Sequence, residues 1–192
     1  MIKREMLIYL FLISFFLSFN RYDTLVIGLV NLFFAFISTI IGYILVLYSY
    51  RLVASYYGLI VDFGLIEVEK EIKRYDYSKK DVVSHKKKMN ISYILTLLLG
   101  LLSAGYFIPI VLSLNTIVIE SKRLGKAKSL DVSFEEKAKI IFAGTLIFWV
   151  IFSSIKYLAS LSVLLEGITD YLFRFLFYYT ISAILPITLV LI

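Results

Sequence analysis

The stretch "ISYILTLLLGLLSAGYFIPIVLSLNTIVI", residues 91–119, decides the fold. It is long and apolar enough for a helix crossing a bilayer, which needs about 20 residues. Gly100, Gly105 and Pro109 interrupt it. Its flanks bear on the choice. Arg51 to Lys88 contains nine Lys/Arg, and Glu120 to Lys139 contains six. A plain span would put these two basic segments on opposite sides. A broken or re-entrant segment keeps both on one side, as the positive-inside bias favours. The Gly and Pro positions suit a break, provided protein covers the exposed backbone. Both forms stay open, with the broken form preferred.

The rest of the chain sets the context. It has 192 residues, which suits one domain over 1–192. Hydrophobic residues make up 60%, aromatics 17% and charged residues only 18%. With a mean hydropathy of +0.89, too little polar surface is left to coat a soluble globule. The expected class is an all-α polytopic membrane protein of about 4–6 transmembrane or re-entrant helices. There is no cysteine and one histidine, His85. Disulfides, thiolate catalysis and a multi-histidine metal site within one chain are excluded. The net charge is +6. Its clustering beside apolar runs points to membrane flanks rather than nucleic acid.

The expected elements follow the apolar runs. A first span covers Leu7 to Phe19. It follows Lys3 and Arg4, but no small-residue cleavage site follows, so it reads as a span and not a signal peptide. A second runs from Thr24 to about Tyr50. Residues 51–90 form a charged cytoplasmic insert: an amphipathic start, a short strand in "LIEVEKEIKRY", then the solvated loop "RYDYSKKDVVSHKKK". "SFEE" at Ser133 to Glu136 is a capping box opening a helix to Leu165. "EGITD" reads as a turn, and Tyr171 to Ile192 as the last span. The expected location is the cell membrane, multi-pass, with a cytoplasmic N-terminus.

This order of features resembles the archaeal branch of the site-2 protease family, intramembrane zinc metalloproteases. Arg51, Leu52, Val53, Ala54, Tyr57 and Gly58 fit the stretch that follows the family's H-E-L-A-H helix. Glu135, Glu136, Lys139, Ile140, Ala143 and Gly144 fit its acidic run and A-G-P helix, and Pro186 fits its closing N-x-x-P-x-x-x-x-D-G. By that resemblance the two family histidines fall at Val46 and Tyr50, and the catalytic glutamate at Leu47. The aspartate ligand falls at Leu191 and its glycine at Ile192. The asparagines fall at Phe148 and Ala183, and the A-G-P proline at Thr145. Val and Leu donate nothing to zinc, and no carboxylate is left to take a proton from bound water. The resemblance therefore implies an inactive homologue, with no cofactor, that acts as a subunit or regulator of a larger complex of integral membrane proteins.

Other residues carry weaker signals. Tyr50 reads mainly as an interface anchor. Ser38 and Gly42 have small-x-x-x-small spacing that lets a helix approach closely. Trp149 is expected to pack on protein, a partner subunit included. Lys156 lies inside an apolar run, where it either snorkels or pairs, or else serves transport or catalysis. Lys86, Lys87 and Lys88 suit anionic lipid, and His85 beside them reads as solvated. A second functional class, a small transporter or channel component, would use the broken segment 91–119 and Lys156.

Overall fold

The computed structural model describes residues 3–19, 24–76, 81–119, 132–159 and 163–184; side chains are described outside 69–87 and except at 163, 164 and 184. The described residues form five helices and four strands. In chain order they are α1 (Arg4–Ser18), α2 (Leu25–Tyr56), β1 (Leu59–Gly64), β2 (Glu67–Asp76), β3 (Asp81–Asn90), α3 (Ile91–Leu102), β4 (Ser113–Val118), α4 (Phe134–Ala159) and α5 (Val163–Ile184). The protein is mostly helical but not all-α. Two of the helices, α2 and α4, are long and apolar enough to cross a membrane.

Helix α2 starts where Thr24 accepts from the Ile27 N–H, an N-cap. It runs through Tyr50 and Arg51 without a break, six residues beyond the expected end of the span. Gly58, with φ 71°, ends it in the left-handed region that a side chain resists. The chain then turns back as β1, whose Val61 carbonyl accepts from Arg51 Nε. The Ser133 cap is present: its hydroxyl accepts from the Glu136 N–H at the head of α4. Helix α4 is described to Ala159, and Leu165, its expected end, lies in α5. The "EGITD" stretch lies inside α5, with the Thr169 hydroxyl bonded back to the Glu166 carbonyl. One glycine costs a helix only about 1 kcal/mol, which the packing of Tyr171, Leu172 and Phe175 outweighs.

The 51–90 insert divides into parts. Its start belongs to α2 and β1, and the rest is the antiparallel β2–β3 hairpin, Glu67 opposite Asn90 and Asp76 opposite Asp81. The expected strand is β2. Of the expected loop "RYDYSKKDVVSHKKK", residues 74–76 lie in β2 and residues 81–88 in β3, because pairing of the two strands satisfies their backbone despite the poor strand propensity of lysine.

The 91–119 stretch is a helix followed by a return. Ile91 N–H bonds the Ile66 carbonyl, and Ser113 pairs with Gly64. The start of α3 and the start of β4 therefore meet the same short piece of chain, Gly64 to Ile66. Between them α3 runs beside α1, reverses at residues 103–106, and comes back as extended chain into β4. Gly105 sits at the reversal with φ 79°, and an added Cβ would come within 2.8 Å of the Phe16 carbonyl oxygen. Strand β4 pairs antiparallel with β1, Leu59 opposite Val118. This strand falls in a run otherwise expected to be helical.

The returning chain is buried: Ile108, Ile110 and Val111 have little contact with solvent. Buried extended backbone without a neighbouring strand leaves polar groups to satisfy. Here hydroxyls do it. Val111 N–H donates to Tyr9, and Ile110 N–H to Ser182, each at 2.9 Å. Ser103 both accepts from the Phe107 N–H and donates to the Phe107 carbonyl. Tyr178 donates to the Tyr106 carbonyl and Thr96 to the Pro109 carbonyl. Since Thr96 spends its proton on Pro109, Tyr9 donates to Thr96 at 2.8 Å. Pro109 itself has no N–H to satisfy.

Candidate functional site

Of the positions matched in the protease resemblance, Tyr50, Thr145, Phe148 and Ala183 lie near one another in the core. Val46 and Tyr50 lie one turn apart on the buried face of α2, and both are about 1% exposed. Leu47 packs against the core from a half-buried position. Tyr50 donates to Thr145 Oγ1 at 3.1 Å, since the Thr145 proton goes to the Ile141 carbonyl. The Tyr179 ring stands 6.2 Å from the Tyr50 ring, centroid to centroid. Phe148, one turn beyond Gly144 on α4, is fully buried and meets Tyr179 edge-on at 6.1 Å between ring centroids.

The centre is filled by aromatic side chains. Phe63 of β1 packs on Tyr50 at 5.5 Å and on Tyr179 at 6.1 Å. A small cavity of about 20 Å³ remains, bounded by Tyr50, Phe63, Ile110, Ile141, Tyr179 and Ala183. That is room for a single water, not for a substrate. Ala183 thus shares a cavity wall with Tyr50. Leu191, Ile192 and Pro186 lie outside the described residues. Among the described residues no group of three His, Cys, Asp or Glu side chains is arranged to hold a metal.

The weaker candidates sit elsewhere. Ser38 and Gly42 do admit a helix, and it is α5 of the same chain. The Ser38 hydroxyl donates to the Ile168 carbonyl at 2.9 Å, while also lying 2.7 Å from Phe34 O. An added Cβ on Gly42 would come within 2.4 Å of the Phe175 ring. Trp149 also packs within the chain, donating to Thr180 Oγ1 at 3.1 Å and meeting Phe152 and Phe173 edge-on. Lys156 is exposed in the last turn of α4, its ammonium 5.4 Å from the Phe173 ring centroid. Lys88 approaches Glu67 at 3.9 Å. Lys86, Lys87 and His85 are placed in β3 by the register alone.

Sequence reading missed Tyr9, Thr96, Tyr178, Tyr179 and Ser182. The available signal was hydroxyls recurring in otherwise apolar runs; attention to charge passed over them. Comparison of the chain with protein-family models, with curated proteins and with solved structures finds no match.

Proposed function

We propose that this chain is a non-catalytic, membrane-embedded protein with a site-2-protease-like core, serving as a subunit or regulator of a larger membrane protein complex. The observation that carries the reading is the centre around Tyr50. Tyr50 and Ala183, which the resemblance matches to a ligand and an asparagine of the protease, line a void of about 20 Å³ there among rings and hydrocarbon. Polar atoms in that centre bond to one another, Tyr50 to Thr145 and Thr145 to backbone. A catalytic zinc centre would instead need three donors and an open position for water.

The fold gives further support. The hydroxyl-capped return of residues 106–111 is the arrangement that irregular backbone needs where no water is at hand. The outward faces of α2 and α4 carry Leu25, Val26, Phe33, Phe142, Leu146 and Val150, all exposed, as lipid or another apolar helix would require. In this reading the protein is multi-pass in the cell membrane, with the α2–β1 corner and the head of α4 at the cytoplasmic face. Lys156 reaches out beside Phe173 rather than toward the returning segment, so snorkelling explains it.

Purification of the full chain from its native membrane in mild detergent, followed by identification of what accompanies it, tests the role. Integral membrane proteins in fixed proportion are expected. A solitary chain would overturn it. Stoichiometric zinc in the same preparation would overturn the non-catalytic part alone.

A further inference from the structure

The register of the β2–β3 hairpin sorts its residues onto two faces of different chemistry. Successive positions along a strand alternate between faces, and directly opposed partners share one. On the first face Glu69 is opposed to Lys88 and Glu71 to Lys86, and the remaining charges, Glu67 and Lys73, cancel. Glu67 and Lys88, diagonal neighbours there, approach at 3.9 Å. The second face begins with Val68 opposite Met89, both exposed. Lys70 opposite Lys87 comes next, then Ile72 opposite His85 and Arg74 opposite Val83. Its carboxylates are confined to the last row, Asp76 opposite Asp81. That row stands about 20 Å along the strand from Lys70, well beyond a Debye length of about 8 Å. Like charges directly opposed across two strands repel, and no acid shares the rows around Lys70 and Lys87. A face of separated cations among apolar residues is complementary to an anionic surface with hydrocarbon beneath it.

The root of the hairpin lies where such a surface is expected. Asn90 caps α3 by accepting from the Tyr93 N–H, and the Ile91 N–H bonds the Ile66 carbonyl. Both strands therefore leave the bundle at one point. Tyr93 donates to the Glu5 carbonyl in the first turn of α1. At that level the charged run Lys3, Arg4, Glu5 gives way to apolar sequence. Further along the two helices Ile8, Phe11, Leu97 and Leu98 are exposed, as lipid contact requires.

We infer that the face bearing Lys70, Arg74 and Lys87 docks on the anionic surface of the membrane in which the chain sits, with Val68 and Met89 entering its apolar margin. The lipid contact expected at Lys86, Lys87 and Lys88 is thereby divided, since Lys86 and Lys88 belong to the opposite face. The inference rests on the membrane-embedded part of the proposed function, not on the complex or on the lack of catalysis.

The full chain is reconstituted in nanodiscs holding a trace of spin-labelled lipid, with a fluorophore on Ile72→Cys or, on the opposite face, on Ser84→Cys. In phosphatidylglycerol the Ile72 label should be quenched at least about threefold more than in phosphatidylcholine, and about 1 M salt, where the Debye length is roughly 3 Å, should abolish the difference. The Ser84 label should be quenched alike in both lipids. Combining Lys70→Glu, Arg74→Glu and Lys87→Glu should remove the quenching at Ile72. Combining Lys73→Glu, Lys86→Glu and Lys88→Glu, the same change of charge on the other face, should keep most of it. Equal quenching of the Ile72 label in the two lipids, equal quenching of the two labels, or equal effects of the two triple variants would overturn the inference. So would an Ile72 label shielded in native membranes yet unquenched in phosphatidylglycerol, which would identify a protein on this face. A chain that stays in solution without detergent would overturn the membrane reading itself, and this inference with it.

Discussion

The ring of Tyr50 lies directly on the backbone of Gly144, so close that a Cβ on Gly144 would come within 2.2 Å of the ring carbon Cδ1. This contact locks α2 to α4 at the centre of the core. Gly144→Ala should therefore destabilise the chain by about 1–3 kcal/mol, the usual cost of overpacking. Tyr50→Leu in the same background should recover part of the loss. Thermal unfolding of the two single variants and the double variant forms the cycle that measures the coupling; strictly additive losses would mean that the two residues do not press on each other.

The hydroxyl caps of the returning segment differ from ordinary helix serines. Ser182→Ala leaves the Ile110 N–H buried without a partner and should cost about 1–3 kcal/mol. Ser14→Ala removes only a bond to the Phe11 carbonyl, one turn back in its own helix, and should cost under about 0.5 kcal/mol. Denaturation in detergent micelles compares them directly, and equal costs would refute the sealing role.

Gly167 makes the opposite prediction. Nothing lies within 4 Å of an added Cβ there, and the residue is inside α5. Gly167→Ala should raise stability by about 0.5–1 kcal/mol, the gain in helix propensity. A fall in Tm would indicate that this stretch is the turn its composition suggests.

The placement of the basic segments can be read with thiol labels, because the chain has no cysteine. Tyr56 and Phe134 are both exposed, one near the end of α2 and one at the head of α4. Since Tyr50 meets Thr145, those two ends lie together. Tyr56→Cys and Phe134→Cys should therefore react with a membrane-impermeant maleimide from the same side of sealed vesicles. Labelling from opposite sides would contradict the re-entrant topology.

Much of this architecture was legible from residue patterns, for definable reasons. Long apolar runs marked α1, α2, α4 and most of α5, and the Ser133 cap marked where α4 begins. Gly105 and Pro109 signalled the break in 91–119. Strand β4 was not legible, because "SLNTIV" becomes a strand only by meeting β1, about 50 residues earlier in the chain. Strand β3 was hidden by its lysines, whose charge masked backbone pairing. At the Tyr50 centre the matched positions Tyr50, Thr145, Phe148 and Ala183 lie near one another, while Leu191 is outside the described residues. The resemblance could not show what fills the space between them, since Phe63 and Tyr179 arrive from β1 and α5. Ser38 and Gly42 were legible as a close-approach pair, but the approaching helix proved to be α5.

The seal around Pro109 has a consequence for the order of assembly. Its hydroxyls come from α1, α3 and α5, and α5 is the last of these to leave the ribosome. Until Tyr178 and Ser182 arrive, the Tyr106 carbonyl and the Ile110 amide have no such partners. The loop between α3 and β4 must therefore wait, unsettled, for the C-terminal helix to close over it. Nascent chains stopped before Tyr171 should leave a cysteine placed at Val111 open to a thiol reagent, and chains extended past Ser182 should bury it.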